Sequence, residues 1–212
     1  MNRPVHPHRE LALLFGLLLL LLVTATLSHE KSQEIRQPNE PSTFNAKPNG
    51  LKALYLLYQK QNYAVTQLRR NWTNIGSETA LLFVVEPLES SRAVSKEEIV
   101  SLKRWVEQGG TLVYIATAPE RPYDPKDPLM GDIAITSGTA TPYTIEPTDT
   151  TSPYLKGVDN VAYTSPVRLK TRKNTPYTAL IEDPEGGLLL HRRLGNGNLL
   201  VSTIADLASN TL

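Results

Sequence analysis

The spacing of apolar and polar positions divides the chain into segments of different period. Residues 11–27, LALLFGLLLLLLVTATL, form an uninterrupted apolar run without a charge. A bilayer asks for about 20 apolar residues and tolerates about 17, so this run is read as a transmembrane signal-anchor. Residues 1–10 precede it as a basic segment with Arg3 and Arg9. Positive charge on that side favours an inside N-terminus and an extracytoplasmic domain on a single-pass cell-membrane protein. Lys31 and Arg36 pull the other way. A cleaved signal peptide is the competing reading; Thr24-Ala25-Thr26 is small enough for it, although an A-x-A site is missing. Residues 28–41 are polar, with Pro38 and Pro41, and read as a linker into a domain over 42–212.

Within the domain the period alternates between helix and strand. Leu51, Leu54, Leu57 and Tyr58 share one helical face over about 50–61, with Asn49 as a plausible N-cap. Tyr63 to Leu68 alternates like a half-buried strand, and Ala80 to Val85 reads as a buried one ended by Glu86-Pro87. Ser95 and Glu98 make a capping box. Ile99, Leu102 and Val106 follow at helical spacing, Gly109-Gly110 stops the helix, and Thr111 to Ala116 is a short apolar strand. Strand alternating with helix predicts parallel pairing through crossovers. The expected fold is therefore α/β, a Rossmann or flavodoxin-like parallel sheet with flanking helices.

After Ala118 the pattern changes. Residues 119–160 are rich in Pro, Asp, Thr and Gly, which predicts long loops with one short strand near 132–136. A strand over 161–170 should break at Pro166. Three short strands follow at 177–182, 187–193 and 198–203. Turns at 183–186 and 195–197 separate them and add antiparallel strands to the sheet.

Three stretches together resemble the bacterial family of unknown function numbered 4350: PSTFNAKPNGLKALYLLYQKQNYAV at 41–65, EEIVSLKRWVEQGGTLVYIA at 97–116, and RRLGNGNLLVSTIADLASNTL at 192–212. The W-V-x-x-G-G-x-L-V block is also shared by glutamine-amidotransferase-like and ThuA-like domains. The resemblance implies a membrane-anchored domain of that α/β type, without an established biochemical function. It also implies partners among MoxR-type ATPases and von Willebrand A-type proteins in a membrane assembly. Family members continue past the Asp…Asn segment, here Asp206 and Asn210, so the resemblance implies a C-terminally truncated chain.

Composition narrows the chemistry. The 212 residues carry a net charge of +1 and no cysteine. Thiol nucleophiles, disulfides, Cys-based zinc sites and lipoprotein anchoring are thereby excluded, and the balanced charge argues against nucleic acid as a partner. The basic pairs Arg69-Arg70, Lys170, Arg172, Lys173 and Arg192-Arg193 lie on separate segments. Where an amidotransferase places its nucleophile, this chain has Ala116-Thr117-Ala118-Pro119, without the small glycine neighbours a nucleophile elbow needs.

His191 could be drawn into a triad with Ser165, Ser202 and Asp206, but a histidine that packs on its strand explains the position as well. Asp124, Asp127 and Asp132 share a Pro-rich loop without EF-hand spacing. Gly195-Asn196-Gly197 precedes a strand and so reads as a hairpin turn, not a phosphate loop. Ser42, Asn45, Gly50, Asp206 and Asn210 match the resemblance best. With Glu86 and Thr117 after the two buried strands, they form a candidate ligand or partner pocket at the carboxyl ends of the strands. The plainer reading gives Ser42 and Asn45 a turn to order and Asp206 a cap to make. No catalytic residue, metal or cofactor is expected. The expected function is a non-catalytic, membrane-anchored binding or scaffold module, with a ThuA-like or amidotransferase-like hydrolase or sugar-processing enzyme as the alternative.

Overall fold

In a computed structural model of the chain, residues 41–68, 72–85, 94–117, 122–140 and 142–210 are described. The apolar run at 11–27 and Glu86 lie outside them. Residues 40–212 form one compact unit.

The capped segment folds as its residues dictate. Helix α2, Lys96–Glu107, follows Ser95, whose side chain accepts the Glu98 N–H at 3.2 Å while the Glu98 carboxylate accepts the Ser95 N–H at 3.1 Å. The other Glu98 oxygen accepts the Trp72 N–H at 3.0 Å, so one buried carboxylate both caps α2 and holds the 3-10 turn at Trp72–Asn74. Gly109, at φ +124°, takes the helix into its stop. Strand β1 (Leu81–Val85) lies before α2 and β2 (Thr111–Ile115) after it, paired in parallel.

The remaining strands are β3 (Ile133–Ser137), β4 (Tyr143–Ile145), β5 (Val161–Tyr163), β6 (Val167–Thr171), β7 (Thr178–Asp183), β8 (Gly186–Leu194) and β9 (Gly197–Ser202). The main sheet has seven strands in the order β1-β2-β9-β8-β6-β3, with β7 also paired to β8. Only β1, β2 and β9 run parallel; β8, β7, β6 and β3 join antiparallel. Strands β4 and β5 make a separate antiparallel ribbon.

This corrects the expected Rossmann-like or amidotransferase-like architecture. Among the described residues the regular structure is mostly β, with two α-helices, and the sheet is mixed. The reason is connection length. A parallel pair needs a crossover of a dozen residues or more, usually a helix, whereas a tight turn returns the chain antiparallel. Beyond β2 the connections from β7 to β9 are the short turns at 183–186 and 195–197, and no further segment carries a helical period. One local expectation also changes: residues 63–68 form no strand. The 161–170 segment breaks at Pro166 as expected, and its halves join different sheets, β5 the ribbon and β6 the main sheet. Among the described residues no helix is long and apolar enough to cross a membrane.

The sheet is covered on both faces. On one, Leu102, Trp105 and Val106 of α2 pack on Leu112, Tyr114, Leu199 and Val201, joined by Leu129 and Met130 from the loop before β3. On the other, Leu155, Val161 and Tyr163 cover Leu180, Leu188 and Leu200. Beside them, helix α1 (Lys52–Lys60) brings Leu51 and Leu54 onto Ile115 and Ala208.

Candidate functional site

The segment that enters the domain and the segment that ends the described chain meet. The turn at 42–51 is closed by the Ser42 carbonyl, which accepts the N–H of Asn45 at 3.1 Å and of Leu51 at 2.9 Å. Asn210 completes it. Its side-chain amide donates to the carbonyls of Asn45 at 2.8 Å and Lys47 at 2.6 Å. Its side-chain oxygen accepts the Ala53 N–H at 2.7 Å, and its own N–H donates to the Gly50 carbonyl at 2.9 Å. The residue before α1, Leu51, has no side chain able to cap, so Asn210 caps the helix from 157 positions away. The expected cap, Asn49, instead accepts from the Asn45 side chain at 3.1 Å. Gly50 is required by closeness. A Cβ there would collide with the Asn45 carbonyl and lie 2.8 Å from the Asn210 amide nitrogen.

Four of the seven candidate pocket residues, Ser42, Asn45, Gly50 and Asn210, are thus brought together as a clasp. Both donors and the acceptor of the Asn210 side chain are committed to the backbone. Asp206 lies one turn earlier, half-buried in the 3-10 turn Ala205–Leu207. Thr117 follows β2, half-buried, at the carboxyl end of the parallel strands.

The His191 set does not assemble into a relay. His191 Nε2 lies 3.1 Å from the Asn198 side-chain oxygen, and its ring packs 5.0 Å from that of Tyr154. The Ser202 hydroxyl donates to the Leu188 carbonyl and accepts the Ile204 N–H. The Ser165 hydroxyl donates to the Val167 carbonyl. In the Pro-rich loop, Asp127 accepts the N–H groups of Leu129 and Met130, and Asp124 that of Lys126. Asp132 faces elsewhere, accepting from Tyr177 and Arg192 at 3.1 Å each. No group of three metal-binding side chains occurs among the described residues.

Sequence reasoning missed the strongest polar cluster. Arg168 is fully buried, at 0% exposure. Its Nε donates to Asp183 Oδ2 at 2.7 Å, and its Nη1 to the carbonyls of Ser165 and Val167 at 2.7 and 2.9 Å. Nη2 lies 3.4 Å from Glu185. Tyr163 donates to the same Asp183 oxygen at 2.9 Å, and the other oxygen accepts the N–H groups of Glu185 and Gly186. Burial pushes Asp183 up, but the hydrogen bonds from Tyr163 and Arg168 and the guanidinium charge outweigh it and hold the carboxyl below its usual range. The Tyr163 phenol is pushed up to about 12, first by burial and then by Asp183. Tyr177 also stands at about 12, again chiefly through burial, with Asp132 adding to it. The only signal in the sequence was Arg168 between Val167 and Leu169, an inward charge on an otherwise apolar stretch.

These features define a class: a β-rich mixed-sheet domain whose polar clusters bind the chain to itself. The chain belongs to the family described as a domain of unknown function, DUF4350, which it matches over residues 43–212. No curated protein matches it. Among solved structures, the mmIFT52 N-terminal domain is similar at TM-score 0.50 and 17% identity, over 75% of this chain and 80% of that one, and shares the fold. The exo-beta-1,4-mannosidase Op5Man5 from Opitutaceae bacterium strain TAV5 is 21% identical, with TM-score 0.39, over 62% of this chain and 22% of the enzyme. The cytoplasmic protein STM1381 from Salmonella typhimurium LT2 is 13% identical, with TM-score 0.39, over 50% and 48%. The chain therefore spans about a fifth of the mannosidase and about half of STM1381.

Proposed function

We propose that this chain is a non-catalytic binding or scaffold domain that works at a cell membrane, on its extracytoplasmic side. The observation that carries the reading is the fate of the reactive-looking residues. Asn210, Ser202 and Ser165 spend their polar atoms on the fold, His191 Nε2 faces Asn198, and a nucleophile needs an adjacent base and an oriented third group. The charge-free run at 11–27 supports the membrane address. The loops after the parallel strands, which include Thr117 and Asp206, are the surfaces offered for recognition. By family resemblance the partners are a MoxR-type ATPase and von Willebrand A-type proteins.

The test is crosslinking in intact membranes followed by capture of the chain and mass spectrometry. A defined set containing an ATPase and integral membrane proteins is expected. Recovery of the folded chain alone would sink the scaffold reading. Loss of cellular function on His191→Ala with unchanged stability would favour a hydrolase instead.

A further inference from the structure

Helix α1 has two apolar sides. At about 100° per residue, Leu51, Leu54 and Tyr58 point to the sheet, whereas Ala53, Leu56, Leu57 and Lys60 form a stripe on the opposite side. The burial follows this division. Leu54 and Tyr58 are half-buried, Ala53 and Lys60 are exposed, and Leu56 and Leu57 are 50% and 51% exposed. Ala53, Leu56 and Leu57 therefore place the i, i+3, i+4 apolar spacing of a face meant for burial on the side the core does not use, with Lys60 at i+7. Leu57, expected on the core face, belongs to this second stripe.

Charge identifies what would cover it. Residues 41–68 contain Lys47, Lys52 and Lys60 and not one Asp or Glu. A second copy would set these lysines against themselves, whereas an anionic surface would neutralise them. Location agrees. Residues 28–40 separate the apolar run from the first described residue, and that length of chain reaches at most about 45 Å fully extended.

We propose that α1 docks on an anionic lipid surface, laying Leu56 and Leu57 among the acyl chains with Lys52 and Lys60 at the headgroups, as interfacial amphipathic helices do. The proposal rests on the membrane address given above. The contact would fix the domain's orientation over the bilayer and leave the strand-end loops for a partner.

The absence of native cysteine makes the test clean. A polarity-sensitive fluorophore is attached to Ala53→Cys in the full-length chain, and to Lys173→Cys as a distant control. The chain is reconstituted with vesicles of phosphatidylcholine alone or with one quarter phosphatidylglycerol. The expected result is a blue shift at position 53 in the anionic vesicles, absent at 173. It should weaken in 0.5 M salt (about a 4 Å screening length) and in K52Q/K60Q, and vanish in L56D/L57D. These variants change exposed side chains apart from the half-buried Lys52, and each is checked by thermal melting.

If the chain floats with the vesicles but the probe stays water-like, the docking is wrong and the membrane address stands. If the chain does not float, the address fails as well. An equal shift in neutral vesicles would overturn the anionic requirement. A shift without lipid that grows with protein concentration would assign the stripe to a second copy instead.

Discussion

At the residue scale, two polar side chains decide how much of the domain stays together. Replacing Asn210 with Ala removes three side-chain hydrogen bonds and leaves the first turn of α1 without a cap. The expected cost is about 1–3 kcal/mol, read from denaturant unfolding, with loss of amide protection at Ala53. Asn210→Asp keeps the acceptor but not the donors, so it should recover only part of that loss. Arg168 is more demanding. Removing one partner of a buried ion pair costs about 3–5 kcal/mol, because the other charge is left unpaired. Asp183→Asn should therefore destabilise strongly at pH 7.

The same pair sets a pH dependence. The folded-state pKa of Asp183 is depressed, so its contribution is present above the ordinary carboxylate pKa and is lost as pH falls through that value and then through the folded one. Melts taken from pH 7 downward should show the gap between wild type and Asp183→Asn closing in that acid window. At the alkaline end, Tyr163 and Tyr177, at about 12, should ionise later than an ordinary phenol near 10. Absorbance at 295 nm against pH, compared with Tyr163→Phe and Tyr177→Phe, reads this directly. None of this was visible in advance. Arg168 and Asp183 lie on different strands with a turn between, and only the register of β6, β7 and β8 places them 2.7 Å apart.

At the element scale, α2 and α1 contrast. Helix α2 carries its own start and stop in adjacent residues, and both form as read. Ser95→Ala should cost about 1 kcal/mol. Leu102→Ala, which opens a hole between α2 and the sheet, should cost about 2–5 kcal/mol; chemical denaturation distinguishes the two. Helix α1 has its cap 157 residues away and no fully buried residue of its own. A local pattern could find its inward stripe but not its cap, because a capping partner that distant leaves no mark in the neighbouring residues. The strand expected at 63–68 fails for a related reason. Alternation records only that one side is apolar, and without a hydrogen-bonded neighbour an extended segment is not a strand.

At the scale of the whole molecule, stability is unevenly distributed. Strands β2, β8 and β9 lie inside the sheet and join the two cores, whereas β1 ends the strand order and α1 is held largely at its N-terminus. Native-state hydrogen exchange should accordingly find the slowest amides in β2, β8 and β9, near the global unfolding free energy, and the fastest helical amides in the second half of α1. Equal protection of α1 and β9 would contradict this division. It also suits the proposed role, since a weakly held helix can engage a surface without disturbing the sheet.

By itself the sequence determined what is local or additive: the Ser95–Glu98 box, the glycine stop at Gly109, the tight turns at 183–186 and 195–197, the break at Pro166, and the exclusion of thiol chemistry. These depend on neighbouring residues or on residue counts, so no fold is needed to read them. Only the tertiary structure decided the order of the strands, with β9 seated between β2 and β8, the burial of Arg168, the use of Asn210 as a cap, and the side of α1 on which Leu57 lies. Each depends on contacts between residues far apart in the chain, and the same apolar pattern is compatible with parallel or antiparallel neighbours until the sheet is assembled.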